Sequence, residues 1–127
     1  MLASEGKELQ EKSQKTLSTI RDCLEDNKAF DIIEIDLKGK TEEADFMLIA
    51  TGSSKTQISA ISQKVMIKLK KEKVLSKIEG IDNCDWVLID ALDVIVNIFK
   101  PEVREFYMIE KIWSENLIVD NKKILGR

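Results

Sequence analysis

The segment FMLIAT, Phe46 to Thr51, constrains the fold more than any other stretch of the chain. A strand with one wet face alternates apolar and polar residues, and this one does not. It therefore has to be covered on both faces, which calls for helices or further layers packed against a sheet. Gly52-Ser53-Ser54 ends the run, and Ile58, Ile61, Val65 and Leu69 then recur on one stripe, predicting a helix over 55–73 with one of the serines as its cap. Two more apolar runs, Trp86 to Asp90 and Asp93 to Phe99, flank Ala91-Leu92 and predict a tight hairpin. A strand–helix–strand passage from Phe46 through Trp86 implies a parallel neighbour pair with a right-handed crossover.

Leu9, Thr16/Leu17, Ile20 and Leu24 keep helical spacing and predict an amphipathic helix over 6–27. Phe30 to Leu37 alternates, with Ile33, Ile35 and Leu37 on one side, and predicts a strand before the turn Lys38-Gly39-Lys40. Residues 74–84, with Gly80, are expected as a loop. Pro101 suits the first turn of a last helix, PEVREFYMIEKIW, because the missing N–H is not needed there. The resulting order, α-β-β-α-β-β-α, is that of an α/β protein with a small mixed sheet and flanking helices. Residues 1–115 are expected to form one domain, with 116–127 as a C-terminal tail.

None of the 127 residues is histidine. This excludes Ser-His and Cys-His nucleophiles and a histidine proton shuttle at neutral pH. The two cysteines, Cys23 and Cys84, match no zinc spacing and no CxxC pair, so reduced thiols in a cytoplasmic protein are expected. No apolar run approaches the ~20 residues of a membrane helix, and the N-terminus lacks a signal-peptide pattern. No membrane contact, metal or cofactor is expected, and the chain is expected to be a monomer or weak homodimer.

The net charge of −3 is unevenly placed: residues 54–73 carry six basic groups and one acidic group. Lys68, Lys70, Lys71 and Lys73 are therefore candidates for contact with RNA phosphates, the alternative being a solvated helix face. The block has no aromatic residue on which a base could stack, which weighs against a general RNA-binding domain.

Gly52-Ser53-Ser54-Lys55 lies where a strand feeds a helix, a place where backbone N–H groups can hold a phosphate. It lacks the spacing of a P-loop, and a simple serine cap is the other reading. Asp90 and Asp93 bracket the hairpin turn, and a two-residue loop would set them directly opposite. Paired carboxylates can hold Mg²⁺ or do acid–base work, yet like charges facing each other destabilise a sheet. A cation, a basic side chain, a basic partner or solvent has to compensate. The same register pairs Leu88 with Ile95 and Trp86 with Asn97 on one face, and leaves Val87, Ile89, Val94, Val96 and Ile98 on the other. Tryptophan, tyrosine and arginine are enriched at binding hot spots, and Arg104, Phe106 and Tyr107 follow just after the hairpin. The alternative reading of Trp86 is an ordinary half-buried core residue.

The segments ADFMLIATGSS, EGIDNCDWVLIDALDVIVNIFKPE and REFYMIEKIW, with KAFDIIEIDLKGK before them, resemble the ribosomal silencing factor family, also called the iojap family. The succession DWVLID, DVIVNIF, REFY-x-x-E-x-x-W is specific to it. The resemblance implies a nucleotidyltransferase-like α/β fold without enzymatic activity, in a bacterial or organellar protein. It implies binding to the large ribosomal subunit at ribosomal protein L14, so that the small subunit cannot join and translation falls when nutrients are scarce. The partner-binding residues expected from the hairpin face, the residues after it and this resemblance together are Trp86, Leu88, Asp90, Asp93, Ile95, Arg104 and Tyr107, of which Trp86, Asp90, Asp93 and Tyr107 match the family. The competing expectation is a divergent Mg-dependent nucleotidyltransferase-fold enzyme that uses Asp90 and Asp93. The chain departs from the family at Lys55-Thr56, where Arg-His is usual, at Leu92 for Gly, and at Asn97 for His. Because leucine disfavours positive φ, a differently shaped hairpin tip is expected.

Overall fold

In the computed structural model, which describes residues 2–108 and the side chains of 9–106 and 108, all six residues of Phe46–Thr51 are buried. The elements run α1 (Leu2–Asp26), β1 (Phe30–Asp36), β2 (Phe46–Thr51), α2 (Lys55–Lys71), β3 (Lys77–Glu79), β4 (Trp86–Asp90), β5 (Val94–Phe99) and α3 (Pro101–Tyr107). The five strands form one sheet in the order β1-β2-β5-β4-β3. β2 and β5 pair in parallel, and every other neighbour pair is antiparallel. The expected α/β architecture of a mixed sheet with flanking helices is thus the one observed. The parallel neighbour of β2 is β5, however, not the Trp86 strand, which lies one place further out.

Alternation along the strands sorts the core into two layers. Phe46, Leu48, Ala50, Val87, Ile89, Val94, Val96 and Ile98 face α1 and α2, meeting Leu17, Ile20, Leu24, Ile58, Ile61, Val65 and Leu69. Met47, Ile49, Leu88, Ile95 and Phe99 face the other way and pack with Ile35, Leu37, Ala44, Trp86 and Val103. The predicted stripe of α2 is buried in full, and Ser54 caps the helix by accepting from the Gln57 backbone N–H. Leu9 does not join the stripe of α1. It is 64% exposed, while Ser13 is buried in its stead and Thr16 is buried as expected.

The structure corrects three local expectations. Residues 77–79 form an edge strand rather than loop, made possible by Gly80: its φ is +83°, and an added Cβ would collide with the Trp86 carbonyl oxygen. The hairpin turns one residue later than expected, at Leu92-Asp93, with Ala91 N–H donating to the Val94 carbonyl at 2.9 Å. Its register sets Asp90 opposite Ile95, Leu88 opposite Asn97 and Trp86 opposite Phe99. That offset of two residues preserves both faces, because the side-chain period is two. At the tip Leu92 takes the left-handed conformation after all, at φ 67°, a strain of about 1 kcal/mol. The Asp90 carboxylate holds it there by accepting the Leu92 N–H at 3.0 Å. Finally, α3 stops at Tyr107, with Met108 left-handed at φ 51°. The rest of the expected last helix and the 116–127 tail lie outside the described residues.

Candidate functional site

Trp86 opens β4 and is half-buried. Its indole Nε1 donates to Asn97 Oδ1 at 2.7 Å, and its ring lies 4.9 Å from that of Phe99 at an interplanar angle of 31°. Asn97 itself is 0% exposed, and its Nδ2 has no hydrogen-bond partner among the described residues. Between Trp86 and the hairpin tip, Leu88 and Ile95 are only 4% and 5% exposed. They are core residues of the second layer, not the surface contacts the sequence suggests, because the mixed sheet is covered on this side as well. Trp86 and Asp90 stand four residues apart along β4, about 13 Å at ~3.3 Å per residue.

The acidic pair at the hairpin end is not the expected one. Asp90 commits one carboxylate oxygen to the turn, while the Asp93 carbonyl accepts from the backbone N–H groups of Asp45 and Phe46 at 2.8 and 3.1 Å. The parallel β2–β5 pairing begins at Phe46 and Val94, so Asp45 and Asp93 sit side by side just before it. Burial first, and the Asp45 charge second, push the Asp93 carboxyl above the usual carboxylate range, with Lys12 pulling the other way. No local pattern in the sequence links Asp45 to Asp93, because only the β2–β5 register brings the two together.

Arg104 works inside the molecule. Its Nη1 donates to the Asp31 carbonyl at 2.6 Å and to Thr51 Oγ1 at 2.7 Å, tying α3 to the bulged start of β1 and the end of β2. Asp31 is left-handed there, at φ 49°. Phe106, two residues on from Arg104, is strongly exposed. The Tyr107 side chain lies outside the described residues.

Lys68, Lys70 and Lys71 are exposed in the last turn of α2, and Lys73 follows it. Cations there also favour the helix C-terminus electrostatically. At the other end of α2, several of the donors that could meet a phosphate are in use. Gln57 N–H goes to Ser54 Oγ, and both the backbone N–H and the hydroxyl of Ser53 donate to Gln57 Oε1. Lys55 and Lys100 flank Asp85 at 3.8 and 3.7 Å, so the residue before Trp86 is held between two cations. Among the described residues, no three of His, Cys, Asp and Glu come together as a metal site, and no helix is long and apolar enough to cross a membrane. Cys23 and Cys84 are free and buried, and burial raises the Cys23 thiol above its ordinary pKa.

By architecture this is a small α/β protein with one mixed sheet, two long helices on one face and a second apolar layer, edged by Trp86, on the other. A family model described as ribosomal silencing factor during starvation matches residues 10–125. The chain is 45% identical over 99 residues to ribosomal silencing factor RsfS of Zymomonas mobilis, covering 77% of this chain and 74% of that one. A crystal structure of a Chromobacterium violaceum protein superposes with a TM-score of 0.78 at 39% identity, covering 80% of this chain and 85% of that one. Mouse "mitochondrial assembly of ribosomal large subunit protein 1" is 30% identical over 95 residues, 72% of this chain but 42% of its own length. The chain belongs to the ribosomal silencing factor family.

Proposed function

We propose that this protein binds the large ribosomal subunit at ribosomal protein L14 and, seated there, keeps the small subunit from joining, repressing translation under nutrient limitation. It acts in the cytoplasm by occupying a surface, with no catalytic step and no cofactor. The family's description supports ribosome silencing, and the mouse relative's name supports the large subunit as the partner. The observation that carries the site is the strip from Trp86 to Asp93. An aromatic held from two sides stands at one end, and Asp90, Asp93 and Asp45 stand at the other. Ribosomal proteins are generally basic, so the acidic end complements one electrostatically while the indole supplies apolar area. Leu88 and Ile95 hold the strip from below, and Arg104 holds α3 beside it. Lys68, Lys70, Lys71 and Lys73 add a peripheral, non-specific attraction to ribosomal RNA.

The test is co-sedimentation with purified large and small subunits, followed by a subunit-joining assay. Wild-type protein is expected in the large-subunit fraction only. Trp86→Ala, shown folded by circular dichroism, should bind on the order of 2 kcal/mol more weakly, and Asp93→Lys should weaken binding again. A folded Trp86→Ala that still blocks joining at wild-type concentrations would show that the docking face lies elsewhere.

A further inference from the structure

We infer that Asn97 is a positioning residue, whose buried amide fixes the Trp86 indole in the orientation used for docking. This rests on the docking reading above and adds a residue to it. β5 reads VIVNIF, five apolar residues and one amide, in a strand hydrogen-bonded on both sides and buried along its whole length. Asn97 lies beside Ile49 of β2 and Leu88 of β4, in the layer that contains Ile95 and Phe99. An amide there loses its hydration, and its Nδ2 recovers no bond from the described residues in return. Buried polar groups left half satisfied weaken a fold, so a leucine or methionine would be the stabilising choice at this position.

What the amide does accomplish is to accept the indole N–H at 2.7 Å. Any acceptor would satisfy the indole donor, but one fixed in the core also fixes the ring. The effect of this bond is orientational. Phe99 restrains the plane of the indole from one side, and Asn97 Oδ1 removes the remaining freedom of rotation about the side chain. A large aromatic held in one rotamer before docking loses less freedom when it docks, which is worth about three- to tenfold in affinity for one side chain. The geometry thus exchanges some fold stability for a preorganised anchor, the pattern expected where a local packing rule is broken at a functional position.

The test uses the full chain in four forms: wild type, Asn97→Leu, Asn97→His and Trp86→Ala. Three quantities are read: melting temperature, the indole N–H proton resonance of Trp86 (identified by its absence in Trp86→Ala), and binding to purified large subunits. Asn97→Leu should melt at or above the wild-type temperature, shift its indole resonance towards that of a water-exposed tryptophan, and bind about three- to tenfold more weakly. Asn97→His, whose ring nitrogen can accept the same proton, should restore both the resonance and part of the binding. An unchanged indole resonance in Asn97→Leu, or a shifted one with wild-type binding, overturns the inference. A fall in melting temperature with a binding loss that histidine does not rescue also overturns it, because the amide is then structural. If Trp86→Ala binds like wild type, the docking reading fails instead, and the resonance still reports whether Asn97 orients the ring.

Discussion

Arg104→Met separates a clamp from a docking residue. The guanidinium Nη1 stands 2.6 Å from the Asp31 carbonyl and 2.7 Å from Thr51 Oγ1. Thr51 is 2% exposed, so its hydroxyl cannot turn to water when the donor is removed. A hydrogen bond to a charged group contributes roughly 1.5–3 kcal/mol. The Thr51 bond belongs in the middle of that range, while the Asp31 bond, at an exposed strand edge, supplies a fraction of it. Methionine keeps the apolar stem, so packing losses stay small. The net cost is about 2–3 kcal/mol. With a urea slope of ~1.5 kcal/mol per molar, the unfolding midpoint should fall by roughly 1.3–2 M, read by circular dichroism across a urea titration. Arg104→Lys, a single point donor, should recover less than half of that. Subunit binding by folded Arg104→Met should stay within about tenfold of wild type, the upper worth of one immobilised side chain. A midpoint within ~0.3 M of wild type, together with a large loss of binding, would show that the arginine serves the partner and not the fold.

The Asp93 carboxyl is held above its ordinary range, so the folded state favours its protonated form. The stability this contributes is present below the ordinary carboxylate pKa and is lost as pH rises through Asp93's own, higher value. At pH 7 the charge is therefore a cost. Asp93→Asn should raise stability there, with the gap closing in thermal melts as pH falls into the ordinary carboxylate range. A variant less stable than wild type at pH 7 refutes this. Replacing Lys68, Lys70, Lys71 and Lys73 with glutamine should flatten the dependence of subunit binding on salt, by about 0.7–0.9 in log–log slope for each phosphate that is no longer neutralised. An unchanged slope would leave those lysines as a solvated helix end.

Much of the framework is legible in local pattern alone. The buried run Phe46–Thr51, the Ile58-Ile61-Val65-Leu69 stripe, a serine cap before it and Pro101 at a helix start are all readable from nearby residues. The division of β4 and β5 into two faces is readable as well, and it survives an error of two in the hairpin register because side chains alternate with period two. Short elements escape this reading. Lys77–Glu79 has too few residues for any period to show, and becomes a strand because β4 offers an open edge and Gly80 lets the chain approach it.

Tertiary partners are different in kind. Asp45 meets Asp93 only because β2 lies parallel to β5 and begins level with it. Arg104 is committed to Asp31 and Thr51, residues far away in the chain that the sheet and α3 bring within reach. Leu88 and Ile95 share a sequence face with Trp86, yet burial on the second side of the sheet makes them core while the tryptophan stays half-open. Periodicity is a property of neighbours along the chain, so sequence alone determined which residues point together. Which carboxylate faces which, and which side chains reach solvent, depends on strand order, register and cover, and those were decided only by the tertiary structure.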